Sequence, residues 1–251
     1  MKILIPIVIG LLVVGCGKKD DANTNDGNSA PEKSAEKKIV KETPTSTSWV
    51  SDPNDPNNVK IEAKIREHLK KPTGELTKTD LEKVTELELS DNQLTDVKGL
   101  EKLKQLRTLS LEGNKLTDVK GLEKLDQLTN LSLDVNWLTD VTVLGKLKKL
   151  KELNLGGNQL TNVKDLDRLT QLTSLDLGGN QLTEVPKELE KLAKLKELWL
   201  HENMLTNLKG LENLTQLKEL YLEDNPDLTK AQIAELQKAL SKCEISHDAK
   251  K

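Results

Sequence analysis

The chain has 251 residues, of which 31% are charged and 2% are aromatic, and its formal net charge is −3. The 38 basic and 41 acidic residues nearly balance, so no broad basic field favours nucleic acid as a partner. Leu carries most of the apolar content and Phe is absent, which predicts a core of stacked aliphatic rows rather than one built on large rings.

Residues 1–16 have the features of a bacterial lipoprotein signal peptide. Lys2 supplies a positive start, and an apolar stretch of about twelve residues follows, shorter than the roughly twenty of a membrane-spanning helix. The stretch ends in Val13-Val14-Gly15-Cys16, which resembles the lipobox of bacterial lipoproteins. This resemblance implies lipidation of Cys16 and an extracytoplasmic protein anchored to the bacterial cell membrane or outer membrane. A plainly cleaved secretory signal is the alternative.

Residues 17–58 are rich in Lys, Asp, Asn, Ser, Thr and Pro and contain few apolar side chains. Such a composition cannot bury enough apolar surface to order itself, so it predicts a disordered tether. A coil of about forty residues spans on the order of 30 to 40 Å. Trp49 falls within this segment and has no partner suggested by the sequence.

Residues 59–83 are predicted to form a helical cap. Ile61, Ile65 and Leu69 have the spacing of one helix face, which Pro72 ends. The segment that begins at Thr77 has the form of a capping box and starts a second short helix. A cap at this place covers the first core layer of the repetitive region that follows.

Residues 84–227 contain seven repeats. Each has the pattern L-x-x-L-x-L-x-x-N-x-L, and the period is 22 residues except for one step of 23. Apolar residues two apart point to one face of a short strand, so stacked copies form a parallel sheet about 4.8 Å apart. The recurring Asn is predicted to satisfy backbone groups at the turn after each strand. The repeats begin at Val84, Leu106, Leu128, Leu150, Leu172, Leu195 and Leu217.

This pattern resembles the leucine-rich repeat, and the 22-residue form with its L-T-D-V return resembles the internalin-type class of bacterial repeats. The fifth repeat departs from that class because it contains Pro186. The resemblance implies an α/β leucine-rich-repeat solenoid. Short parallel strands line its concave face, 3₁₀ or extended segments form its convex side, and helices cap both ends. It also implies a binding protein rather than an enzyme.

Residues 228–251 are predicted to form a helical C-terminal cap and tail. Thr229 and Gln232 have capping-box spacing, and Ile233 and Leu236 begin an apolar stripe. Cys243 is the only thiol left once Cys16 is lipidated, which excludes an internal disulfide. We therefore expect Cys243 to be a small buried residue of the cap.

The residues that alternate with the inward Leu positions form three rows on the concave face. Nine of these twenty-one positions are acidic and none is Lys or Arg, although the whole chain is nearly balanced in charge. This segregation favours a basic partner, or alternatively serves only to keep an exposed sheet soluble. The rows are Glu86, Thr108, Asn130, Glu152, Ser174, Glu197, Glu219; Glu88, Ser110, Ser132, Asn154, Asp176, Trp199, Tyr221; and Ser90, Glu112, Asp134, Gly156, Gly178, His201, Glu223.

Trp199 and Tyr221 occupy equivalent positions in adjacent repeats, which places them side by side about 5 Å apart on the sheet. Exposed aromatic side chains on an aromatic-poor protein are typical anchors of recognition, although they would also serve to cover the sheet near its end. The predicted ligand is a basic protein, peptide or glycan, and the alternative is a structural envelope protein without a specific ligand. The predicted ligand-binding residues are Trp199, Tyr221, His201, Glu197, Glu219, Glu223 and Asp176.

No motif supports catalysis, a cofactor or a metal centre. His201 with Glu197 or Glu223 would make an acid/base pair, but no nucleophile or phosphate loop accompanies it. The carboxylates of Glu202, Glu223 and Asp224 match no known calcium loop. The sequence therefore favours a monomeric binding protein that uses no cofactor and binds no nucleic acid.

Overall fold

The computed structural model describes Trp49 and residues 52–250. The predicted signal peptide, its Cys16 and most of the predicted tether lie outside these residues. Within the described part of the chain, no helix is both long enough and apolar enough to cross a membrane.

Eight three-residue strands form one parallel sheet in which each strand pairs with its neighbour in the chain. The register advances by one repeat at each step, so Leu109 pairs with Leu131 and Leu131 with Leu153. This confirms the predicted solenoid and adds one strand to the seven expected. The strands are Glu86–Glu88 (β1), Thr108–Ser110 (β2), Asn130–Ser132 (β3), Glu152–Asn154 (β4), Ser174–Asp176 (β5), Glu197–Trp199 (β6), Glu219–Tyr221 (β7) and Glu244–Ser246 (β8).

The return half of each repeat contains a short 3₁₀ turn, as predicted for the convex side. In most repeats the turn follows a residue in the left-handed region, such as Gly121 with φ 107° or Asp165 with φ 69°. The third repeat instead enters its turn through Val141 with φ −126°, and the fifth through Pro186 with φ −62°. The turns are Leu100–Lys102 (η1), Leu122–Lys124 (η2), Thr142–Lys146 (η3), Leu166–Arg168 (η4), Lys187–Lys191 (η5) and Leu211–Asn213 (η6).

The core is one continuous stack of aliphatic side chains between the sheet and the 3₁₀ turns. The inward strand residues Leu109 and Leu111 are 1% and 0% exposed, and the return residue Leu122 is 0% exposed. Each layer packs mainly on the layers above and below it, as expected of a solenoid.

The repeated Asn residues form the predicted ladder. Asn158 donates from Nδ2 to the carbonyls of Leu133, Leu155 and Gly156, and its Oδ1 accepts from the backbone N–H of Leu138 at 3.0 Å. Six of the seven Asn residues are buried. Asn92 in the first repeat is only half-buried, because no earlier repeat lies beside it, and its amide donates to the carbonyl of Ser90.

The N-terminal cap contains helices α1 (Pro56–Leu69) and α2 (Lys78–Leu81). Asp55 caps α1, which begins three residues before the predicted start, and the Thr77 capping box of α2 is present as predicted. The placement of Trp49 in the tether is wrong. Its ring is 5% exposed, its backbone N–H donates to the carbonyl of Leu76 at 3.0 Å, and the ammonium of Lys102 lies 5.2 Å from the ring centroid. Trp49 therefore belongs to the cap.

The C-terminal cap contains helix α3 (Lys230–Ala239), which begins with the predicted capping box at Thr229, and strand β8. β8 extends the sheet because Leu222 donates its backbone N–H to the carbonyl of Ser246 at 2.9 Å. Cys243 is 5% exposed, and burial raises the pKa of its thiol to about 11. This confirms the prediction that Cys243 is a buried residue of the cap.

Candidate functional site

A groove of about 440 Å³ runs along the concave face from β2 to β6. Its base follows the strands, and its sides carry hydroxyl, amide and carboxylate groups, with Trp199 at the C-terminal end. No Lys or Arg contributes to it. The residues around the groove are Thr108, Leu109, Ser110, Asn130, Leu131, Ser132, Glu152, Leu153, Asn154, Ser174, Asp176 and Trp199.

Trp199 and Tyr221 form a stacked pair, with ring centroids 5.3 Å apart and ring planes within 1° of parallel. The parallel register of β6 and β7 produces this stack, because it pairs the two residues directly. Both side chains are half-buried rather than fully exposed. One face of the Trp199 ring is covered by Tyr221, and Trp199 also borders the groove, so the pair forms a rigid aromatic wall at its end.

Asp176 lies beside Trp199 in the register of β5 and β6 and borders the same groove. Its Oδ1 accepts from the backbone N–H of Gly178 at 2.8 Å. Burial raises the pKa of this carboxyl group above its ordinary value. A partly desolvated carboxylate next to an aromatic face is suited to a cation, because a cation is attracted by both groups.

His201 lies against the neighbouring repeat, where it interacts electrostatically with Asp176. A Cβ atom added at Gly178 would lie only 2.3 Å from Cε1 of His201, so the imidazole occupies the space that a larger residue at 178 would fill. Among the described residues, no hydrogen bond joins His201 to Glu197 or Glu223. The arrangement gives no support to the acid/base pair considered from the sequence.

Two of the predicted carboxylates are already engaged. Glu219 accepts the phenolic hydrogen of Tyr221 at 2.8 Å, and this hydrogen bond raises the pKa of Tyr221. Glu223 accepts a hydrogen bond from the hydroxyl of Ser246 in β8. These two contacts hold the aromatic pair and the end of the sheet in place.

The structure thus brings together only part of the predicted set at the groove. Trp199 and Asp176 border it, whereas the other predicted residues lie on β6, on β7 or in the turns after these strands, outside the groove. Sequence reasoning missed the groove residues of β2 to β4. The sequence contained one signal for these groove residues, which is the run of small side chains in the second row, Ser110 and Ser132. The predicted residues outside the groove are Tyr221, His201, Glu197, Glu219 and Glu223.

A second group of carboxylates lies at the N-terminal end of the third row. The negative charge of Asp134 raises the pKa of Glu112, with further contributions from burial, Asp91 and Glu88. In the described part of the chain none of these carboxylates forms an ion pair, and no cluster of three or more His, Cys, Asp or Glu side chains is arranged to hold a metal ion. This group therefore adds negative charge to the concave face.

Comparison with known proteins identifies the repeats. The family described as "Leucine Rich repeats (2 copies)" matches residues 82–124 and 126–168, and the family described as "Leucine rich repeat" matches residues 170–226. The chain belongs to the leucine-rich-repeat family. Neither matching family is catalytic, and domains of this kind commonly mediate binding between proteins. No curated protein matches the chain.

Among the solved structures similar to this leucine-rich-repeat protein are three from bacteria. An internalin (inlF) from Listeria monocytogenes is 28% identical with a TM-score of 0.69, over 76% of this chain and 57% of that one. Internalin C2 from the same organism is 26% identical with a TM-score of 0.60, over 77% and 96%. A leucine-rich-repeat protein from Leptospira interrogans is 31% identical with a TM-score of 0.56, over 66% and 50%. The chain therefore spans little more than half of the first of these proteins.

Proposed function

We propose that this protein is a monomeric cell-envelope lipoprotein that binds a basic protein or peptide in the concave groove of its solenoid. The observation that carries the proposal is the Trp199–Tyr221 stack at the end of a groove that contains carboxylates and no basic side chain. Rigid aromatic anchors supply binding energy at small entropic cost, and the uncompensated carboxylates select a cationic ligand.

The groove is built to hold an extended segment. It passes across successive parallel strands from Thr108 to Trp199, and its sides alternate small hydroxyl groups with Glu152 and Asp176. A peptide with a Lys or Arg side chain near Trp199 would place its cation between the indole face and the Asp176 carboxylate. An amine-bearing glycan has the same cationic chemistry but less apolar area to cover the ring.

A random peptide library and a glycan array, both applied to the wild-type protein, test this proposal. We expect selected peptides to be enriched in Lys and Arg, and their binding to weaken as salt is raised. Trp199→Ala should weaken binding about tenfold or more, since truncation of such an anchor commonly costs about 2 kcal/mol. Tyr221→Phe, which keeps the stacked ring but loses the hydrogen bond to Glu219, is the matched comparison and should weaken binding much less than Trp199→Ala.

Charge reversal on the opposite side of the solenoid is a second control. Lys124 at the end of η2 is exposed on the convex side, so Lys124→Glu should leave binding unchanged. Lys102 is unsuitable because its ammonium lies over Trp49. Peptides without a basic bias, or normal binding by Trp199→Ala, would favour the alternative of a structural envelope protein without a specific ligand.

Membrane anchoring rests on the Val13-Val14-Gly15-Cys16 sequence alone. Cys16→Ser should abolish metabolic labelling with a fatty acid and move the protein from the detergent phase to the aqueous phase. Unchanged partitioning of this variant would contradict lipidation.

A further inference from the structure

Val135 has an unfavourable backbone conformation that the fold imposes. In each of the seven repeats, the residue directly before the ladder Asn has a positive φ. Val135 is the only β-branched residue among these seven. A β-branched side chain in the left-handed region is strained, so Val at this place opposes folding. The residues and their φ angles are Asp91 57°, Gly113 64°, Val135 52°, Gly157 59°, Gly179 61°, Glu202 51° and Asp224 55°.

The same turn exposes two large apolar side chains. Val135 is 57% exposed and Trp137 is 50% exposed, although the structure buries nearly every other large apolar side chain of the repeats. A Cβ atom added at Gly157 would lie 3.4 Å from Cγ2 of Val135, so the valine side chain extends over a neighbour that has no side chain of its own. Neither exposed side chain contributes to the core.

The turn is held rigidly. Asn136, between the two exposed residues, is 3% exposed and donates to the carbonyls of Leu111, Leu133 and Asp134. The backbone N–H groups of Val135 and Trp137 donate across repeats at 2.9 and 3.0 Å. The backbone that carries Val135 and Trp137 is therefore fixed, which lowers the entropic cost of binding a partner.

Carboxylates adjoin this turn on the sheet side. Asp134 directly precedes Val135, and its negative charge reaches Glu112 in the preceding repeat. The Asp91 carboxylate lies over Gly113, one repeat before Val135. The nearest cation in the row of Trp137 is Lys115, whose ammonium donates to Gln93 at 3.4 Å. The charge beside the apolar pair is thus predominantly negative.

We propose that Val135 and Trp137, with the carboxylates of Asp91, Glu112 and Asp134, form a second binding surface for a partner protein. That partner presents an apolar side chain flanked by Lys or Arg, because apolar contact and charge complementarity together match what the turn offers. This surface lies on the turn side of the first three repeats. It goes beyond the concave groove and does not depend on it.

Peptide selection against a protein with the groove disabled tests this surface separately. The target is the full chain with Trp199→Ala and Tyr221→Ala, and the probe is a phage library of random twelve-residue peptides. We expect selected peptides to carry Lys or Arg beside an aromatic or aliphatic residue. Adding Trp137→Ala or Val135→Gly should weaken their binding at least tenfold, whereas Gln159→Ala, at the equivalent position of the next repeat, should not.

Val135→Gly distinguishes a binding role from a structural one. Because Gly accepts the positive φ without strain, this variant should keep a Tm at least as high as that of its parent while losing binding. A fall in Tm that accompanies the loss of binding would overturn the proposal. So would a library that yields no Trp137-dependent peptide, or Trp137-dependent binding to phosphatidylcholine and phosphatidylglycerol vesicles in place of peptide.

Discussion

Asn158→Ala removes one member of the Asn ladder from the middle of the solenoid. The substitution leaves the buried N–H of Leu138 without an acceptor, and that N–H now donates to Asn158 at 3.0 Å. The carbonyls of Leu133, Leu155 and Gly156 each lose one donor but keep another, from Asn136, Asn180 and the backbone N–H of Val135 respectively. One orphaned N–H costs about 1 to 3 kcal/mol, and three weakened carbonyls bring the expected loss of unfolding free energy to about 2 to 4 kcal/mol.

Urea unfolding followed by circular dichroism measures this loss, with Asn92→Ala as the matched control. Asn92 occupies the equivalent position of the first repeat, is half-buried, and makes one amide hydrogen bond, to the carbonyl of Ser90 at 2.7 Å. Its replacement should cost less than about 1 kcal/mol. The slope of the unfolding curve must be compared as well, since a repeat array that loses cooperativity unfolds with a shallower slope. Equal losses for the two variants would refute the assignment of the ladder as a structural network.

Three further predictions concern the core, the N-terminal cap and the buried thiol. Leu153→Asp, at a residue 2% exposed, should unfold or strongly destabilise the array in a thermal melt, because it places an unpaired carboxylate among Leu side chains; a near-native Tm would contradict the inward register. The hydrogen bond from Lys71, followed by those from Thr77, holds the pKa of Asp80 far below its ordinary value of 3.8. Its contribution to stability is complete above about pH 4 and is lost as the pH falls below that value, so Asp80→Asn should make unfolding less sensitive to acid between about pH 4 and 2; identical pH profiles would contradict this. In a Cys16→Ser background, Cys243 should react with Ellman's reagent at pH 8 only after unfolding, since its pKa is about 11 and it is buried; rapid labelling of the native protein would contradict it.

The repetitive part of the fold could be predicted from the sequence because each repeat encodes its own strand, turn and core positions. Leu109 and Leu111 follow the strand period, and Asn114 marks the turn, so stacking them requires no information from elsewhere in the chain. The concave rows follow from the same alternation. The face-to-face contact of Trp199 with Tyr221 was predictable for this reason.

The ends of the solenoid were harder to predict because their contacts are not periodic. Trp49 lies in a polar segment and packs on the cap through tertiary contacts with Leu76, Gly99 and Lys102. β8 lacks the Leu pattern, since the segment Glu244–Ser246 joins the sheet by pairing with β7. The contacts of Trp49 and the strand β8 were missed because neither the composition of the sequence nor its repeat pattern marks them.

The place of the groove also depends on more than the pattern. The alternation shows which residues face the concave side. The open volume of the groove results from small side chains such as Ser110 and Ser132, and the bulky Trp199 closes the groove at one end. The strain at Val135 had a visible signal in Gly113 and Gly157, which occupy the same position of neighbouring repeats. Val135 has the same positive φ, of 52°, although its residue type does not favour this conformation.

The most direct test of the central claim is to map where a bound ligand lies on the solenoid. A library-selected basic peptide that carries a photoreactive benzophenone is crosslinked to the wild-type protein, and the adducts are located by mass spectrometry. Binding in the concave groove predicts adducts on the residues of β2 to β6, between Thr108 and Trp199, and their loss at high salt. Adducts concentrated on the 3₁₀ turns η1 to η6 would place the ligand on the convex side and contradict the account.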